Sequence, residues 1–161
     1  MWRDLRVFSA NDIARMDEVQ FISDLALNFI NGLSDYSAAR LDKAYADNDD
    51  EFPKQAEVGT RLERVFSKIA ALKPESIRDT VFSRLPLFFS LCILLDSAKK
   101  TIAVSRVEST LFAIDHIVRS DIPLSDRKKK EAEFITACTA STQRIRQRTV
   151  RNEFIGTLLG M

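Results

Sequence analysis

Through most of the chain, hydrophobic residues recur at three- and four-residue steps, the spacing that lines one face of an α-helix. Ile13, Met16, Val19, Ile22, Leu25, Phe29 and Ile30 predict a first helix that opens at a Ser9 or Asn11 cap, runs to Asn31 and stops at Gly32. Ser37 opens a shorter one, SAARLDKAYAD, with Leu41 and Tyr45 four apart on one side. From about Lys54 to Leu72 the stripe is Val58, Leu62, Val65, Phe66 and Ile69; it ends before Pro74 because the residue preceding a proline is disfavoured in helix. Leu85 to Leu95 is apolar on nearly every side, which predicts a central helix over about residues 85–97, with Pro86 either in its first turn or at a kink. Ser105 is the expected cap of a helix to about Val118, carrying Val107, Leu111, Phe112, Ile114 and Val118; SDIPLSD then reads as a loop. A last helical region runs from Ser125 to about Leu159. It breaks near CTAST, where hydroxyl side chains compete for backbone hydrogen bonds. The fold class expected is all-α: one domain over residues 1–161, an array of about six to eight helices.

Composition narrows the class. Glycine and proline number only four each, too few for the turns of an all-β chain or the strand-to-helix turns of a doubly wound one. No stretch approaches the roughly 20 apolar residues that span a bilayer, and MWRDLRVFSAND lacks the apolar run of a signal peptide, so no membrane role and a cytoplasmic setting are expected. Cys92 and Cys138 lie among apolar residues and read as small buried hydrophobes rather than a disulfide pair or metal ligands.

Catalytic patterns are sparse. The single histidine, His116, sits among Ile114, Ile117 and Val118 and reads as a partly buried helix residue; alone it builds no three-histidine metal site. Asp47 to Glu51, DNDDE, alternates acids like a calcium loop but lacks the glycine at the sixth place and the glutamate at the twelfth, so a solvated interhelical loop is expected. No Walker-type or GxGxxG loop is present. Neither a metal nor a nucleotide cofactor is expected, and an enzyme on this chain alone would need a pocket of perturbed carboxylates.

Charge is unevenly placed. Residues 1–60 hold six Lys/Arg against twelve Asp/Glu, and residues 125–161 hold eight against four. STQRIRQRTVR, residues 141–151, carries four arginines and no acid. At 100° per residue, Arg144, Arg148 and Arg151 share a face with Ile155, Leu158 and Leu159, so one face passes from arginine to apolar. A plainly solvated helix puts its charges opposite its apolar stripe. Three destinations remain open for these arginines: acids of the first helix (Asp12, Asp17, Glu18, Asp24), a nucleic-acid or protein partner, or solvent. Arg127, Lys128, Lys129 and Lys130 add a second basic cluster, diluted by Glu131 and Glu133.

FSANDIARMDEVQFISDLALNFINGLSD, LDKAYADNDDEF, FSRLPLFFSLCILL and STQRIRQRTVRNEFIGTLL, in this order, resemble the helical C-terminal half of the ParB-like family that includes the GmrSD-type restriction endonucleases. The likeness spans nearly the whole chain, through Arg15, Met16, Asp17, Leu41, Asp42, Tyr45 and the arginine-rich last helix. Family members pair this half with a ParB-like N-terminal half carrying an Asp-Gly-Gln-Gln-Arg type motif, and many add an HNH nuclease; neither motif occurs in this chain. The resemblance implies a non-catalytic helical module of a DNA-targeting restriction or phage-defence protein. It would contact a ParB-like domain, in cis or in trans, and the DNA backbone through Arg144, Arg146, Arg148 and Arg151, with Lys128, Lys129 and Lys130. The alternative is a structural or homo-oligomeric bundle whose arginines pair with its own or a sister chain's acids.

Overall fold

The chain folds as nine α-helices joined by loops and two 3-10 turns, with no strand among the described residues, in a computed structural model that describes residues 2–161. Met1, which opens the expected 1–161 domain, lies outside the described residues. The helices are α1 (Ala10–Ala14), α2 (Asp17–Asn31), α3 (Ala38–Asp47), α4 (Gln55–Ala70), α5 (Glu75–Arg78), α6 (Leu85–Ser97), α7 (Val104–Arg119), α8 (Lys129–Thr139) and α9 (Ile145–Leu159).

Helix α6 is the axis. Leu87, Phe88, Phe89, Leu91, Cys92, Leu94 and Leu95 are all buried, and α2, α4 and α9 pack around it. Pro86 sits in its first turn, where no amide partner is lost, and does not kink it. The segment before α1 joins the same core: Leu5, Val7 and Phe8 are buried, and the Trp2 ring meets Phe8, Phe66 and Phe88 edge-on at 5.4, 5.3 and 6.0 Å. That segment has no helical period, so its apolar residues carry no sequence signal of burial.

Three expectations are corrected. The first helix is two, α1 and α2, because Met16 takes the left-handed conformation (φ 61°, ψ 29°) between them, while Ser9 caps α1 through the Asp12 amide. Helix α7 starts at Val104 rather than from a Ser105 cap, and Phe112 and His116 of that helix are exposed rather than turned into the core. Nine helices stand where about six to eight were expected, because α1 and α5 are single turns too short to show a period. The break at CTAST falls where expected, between α8 and α9, with Ser141 at φ 48°.

A glycine-poor chain must close its helices without glycine caps. Of the longer helices only α2 and α9 end on glycine, at Gly32 and Gly160. Cations from other elements also reach orphan carbonyls of the last turns, in the glycine-ended α2 and α9 as well as in α6 and α7. Arg61 of α4 donates to Phe29 O of α2 (2.7 Å), and Lys68 to Leu95 O of α6 (2.6 Å). Arg106 of α7 donates to Leu158 O of α9 (2.7 Å), and Arg127 to Ile117 O and Ser120 O behind α7 (2.8 Å each). Arg61 also forks onto Asp96 of α6, whose buried carboxylate takes Arg64 at 2.7 Å as well. Asp96 accordingly raises the Arg61 pKa, and burial lowers that of Lys68.

A left-handed methionine costs roughly 1–2 kcal/mol of backbone strain, and Met16 is exposed, so its side chain contributes little packing in return. Met16→Gly is expected to raise stability by about 0.5–1 kcal/mol in urea unfolding, the strain relieved less the extra chain entropy of glycine.

Candidate functional site

Asp24 faces inward from α2 and is only 5% exposed. An acid on a helix reads as a surface residue, and this one is not. Asn28, one turn on, donates its side-chain amide to Asp24 O (2.7 Å) and Oδ1 (3.0 Å) and accepts the Ser34 amide (2.9 Å), which ties the carboxylate to the bend after α2. Arg148 of α9 arrives from the other side. Its Nη2 lies 2.6 Å from Asp24 Oδ2, its Nη1 donates to Ser34 O at 3.1 Å, and its guanidinium carbon stands 4.1 Å from the centre of the Phe89 ring. Arg40 of α3 bonds the Ser34 hydroxyl and Asp35 O; its Nη2 is 3.9 Å from Asp24 Oδ1, near enough for attraction but not for a hydrogen bond.

Arg151 lies one turn further along α9 and is 1% exposed. It donates to Ser90 Oγ of α6 (3.2 Å), Ala137 O in the last turn of α8 (2.7 Å) and Thr142 O in the α8–α9 turn (2.8 Å). Among the described residues no carboxylate bonds it. Burial pushes its pKa down to about 10, with the charge of Arg148 acting in the same direction, so it remains a cation at neutral pH. The floor therefore holds two buried guanidiniums against one buried carboxylate.

Above this floor opens a cleft of about 300 Å³. Phe21, Leu85, Pro86 and Phe89 form an apolar wall, and Gln20, Tyr36, Thr142 and Gln143 a polar one; Asp12 and Asp17 stand at the lip, both bound by Arg15. Hydrogen bonds from Ser9 hold the Asp12 carboxyl below the usual range. Tyr36 fixes the polar wall by donating to Gln20 Oε1 (3.1 Å) and, through its amide, to Gln143 O (3.0 Å).

The basic residues singled out in the sequence thus part company. Arg148 and Arg151 are interior, and of the three destinations open to them Arg148 takes the acid of the first long helix. Arg144, Arg146, Lys128, Lys129 and Lys130 are exposed. Arg127 leaves the second cluster: its side chain is buried behind α7 and paired with Glu131. Helices α8 and α9 run antiparallel, Phe134 stacked on Phe154 at 4.2 Å, so the lysines and Arg144/Arg146 lie at opposite ends of the hairpin, roughly 16 Å apart by helical rise. Cys92 and Cys138 are free and buried, and burial pushes the Cys138 thiol up to about 12 and that of Cys92 further. Among the described residues no three His, Cys, Asp or Glu side chains are grouped to hold a metal, and no helix is long and apolar enough to cross a membrane. The carbonyl partners of Arg151 had no sequence signal, since side-chain type says nothing about which main-chain oxygens a turn exposes.

No protein-family model, no curated protein and no solved structure matches this chain.

Removing one partner of a buried pair strands the other charge. Arg148→Met should cost about 3–5 kcal/mol in urea unfolding, whereas Arg148→Met combined with Asp24→Leu should recover most of it. An additive double variant would show that the two side chains do not meet.

Proposed function

We propose that this chain is a non-catalytic helical module of a ParB-like, GmrSD-type restriction or phage-defence protein, acting in the cytoplasm. In this reading the α8–α9 hairpin faces a ParB-like domain and the DNA backbone it handles. The observation that supports this is the set of five exposed cations, Arg144, Arg146, Lys128, Lys129 and Lys130, none of which has a side-chain hydrogen bond or ion pair among the described residues. Unpaired surface cations are available to phosphates, and such contacts give sequence-tolerant, salt-sensitive binding.

The structural-bundle reading has its own support in the Arg148–Asp24 pair, which uses internally one of the arginines that a partner would otherwise take. It predicts a defined oligomer in size-exclusion mass measurements and no affinity for DNA.

Fluorescence anisotropy of a labelled duplex of about 30 base pairs, titrated at about 50 and about 200 mM salt, separates the two readings. The DNA-backbone reading predicts a log–log salt slope of about −4 to −5 if both ends of the hairpin engage and about −2 if only the Arg144/Arg146 end does. Arg144→Glu with Arg146→Glu should flatten the slope by about 2 and leave the melting temperature unchanged. Absence of binding at the lower salt rules out DNA as a direct ligand of this chain.

A further inference from the structure

The charge balance under the cleft is unfinished. Asp24 answers Arg148, but Arg151 has only neutral oxygens, and the C-terminal end of α8 behind Ala137 offers about half an elementary charge at most. Three of the five N–H groups of its guanidinium have partners, which leaves two unused. Buried cations are ordinarily paired with a carboxylate or another anion. Arg151 lines a cleft large enough for a small molecule, beside an apolar wall that would receive an uncharged body.

We propose that the cleft binds a small organic anion, its carboxylate directed to Arg151 and Arg148 and an apolar or aromatic body lying along Phe21, Phe89, Leu85 and Pro86. The lip argues for a carboxylate-sized ligand over a polyanion. Asp12 and Asp17 share the single cation Arg15, so the entrance keeps residual negative charge that repels a nucleic-acid backbone. A compact monoanion passes that entrance and sheds its water only at the floor, where two guanidiniums meet it in a medium of low dielectric. Tyr36 and Gln20, already bonded to each other, hold the polar wall, which Gln143 completes. This site is separate from the exposed cations of the hairpin, so either assignment can fail without the other.

Isothermal titration of the full chain, at constant ionic strength made up with sodium chloride, with phenylacetate, phenyl phosphate, inorganic phosphate and the neutral phenylacetamide tests it. Saturable binding of phenylacetate, at least about tenfold tighter than phenylacetamide, is expected, because the amide lacks the charge that the floor is missing. Phenyl phosphate binding more tightly than phenylacetate would overturn the choice of carboxylate, and inorganic phosphate binding as well as either would overturn the role of the apolar wall. Arg151→Met is the direct variant but removes a buried hub. Thr142→Asp is therefore the companion: it sets a carboxylate of the chain's own at the residue whose carbonyl Arg151 already holds. It should raise the melting temperature and abolish phenylacetate binding together. Equal binding of acid and amide, no binding of either, or phenylacetate binding unchanged in Thr142→Asp would each overturn the proposal.

Discussion

The structure depends on one constraint: the last helix carries arginines on the face that must enter the core. Ile155 and Leu159 bury against the rest of the protein, and the same face one and two turns earlier presents Arg151 and Arg148. A helix cannot turn one half inward and the other outward without twisting off its axis, so the fold has to solvate those guanidiniums from within. It does so with Asp24 and Ser34 from the α2 end, the Phe89 ring and Ser90 from α6, and the carbonyls of Ala137 and Thr142 from α8 and its turn. Four separate segments thereby fix the position of α9. Such pairing adds little net stability over an apolar core of equal shape, but the cost of mispairing is large, so it specifies one arrangement.

The same chemistry recurs at the helix ends. Glycine is rare, and cations of α4, α7 and the loop before α8 cap last-turn carbonyls, at the glycine-ended α2 and α9 as well as at α6 and α7. The cost is that each cap is tertiary. A helix whose end is closed by another element's arginine is complete only once that element has docked, which couples helix formation to packing.

This explains what could be read in advance. The stripe of α4, the Ser9 and Ser37 caps, the Gly32 stop and the all-round apolar α6 are local patterns, and each stands where its residues put it, whereas Met16 and Val19 of the expected first stripe are exposed. The break at Met16 was hidden because methionine is a good helix former and lies on the helical spacing of Ile13 and Val19. The candidate site was half legible: the arginine-to-apolar face flagged Arg148 and Arg151 as anomalous. Asp24 stood among the first-helix acids open to them, but its burial was out of view because an acid on α2 reads as a surface residue, and Arg151 is held by two main-chain oxygens that no residue type encodes. His116 and Phe112 fell on the wrong side for a related reason, three- and four-residue spacing being unable to fix which edge of the stripe meets the core.

The central claim is that the arginines of the α8–α9 region divide into interior cations held by protein oxygens (Arg127, Arg148 and Arg151) and surface cations with no side-chain partner among the described residues (Arg144 and Arg146). The arginine side-chain Nε–H region of a nitrogen-15 NMR spectrum reports this division directly, at neutral pH and with assignments made by single Arg→Lys variants. The account predicts sharp, slowly exchanging signals for Arg127 and Arg151, whose Nε donates to Ile122 O (2.9 Å) and Ser90 Oγ (3.2 Å), while those of Arg144 and Arg146 are lost to exchange with water. Signals from all four that exchange equally fast would contradict it, since Arg151 would then be in contact with solvent and the core would be built some other way.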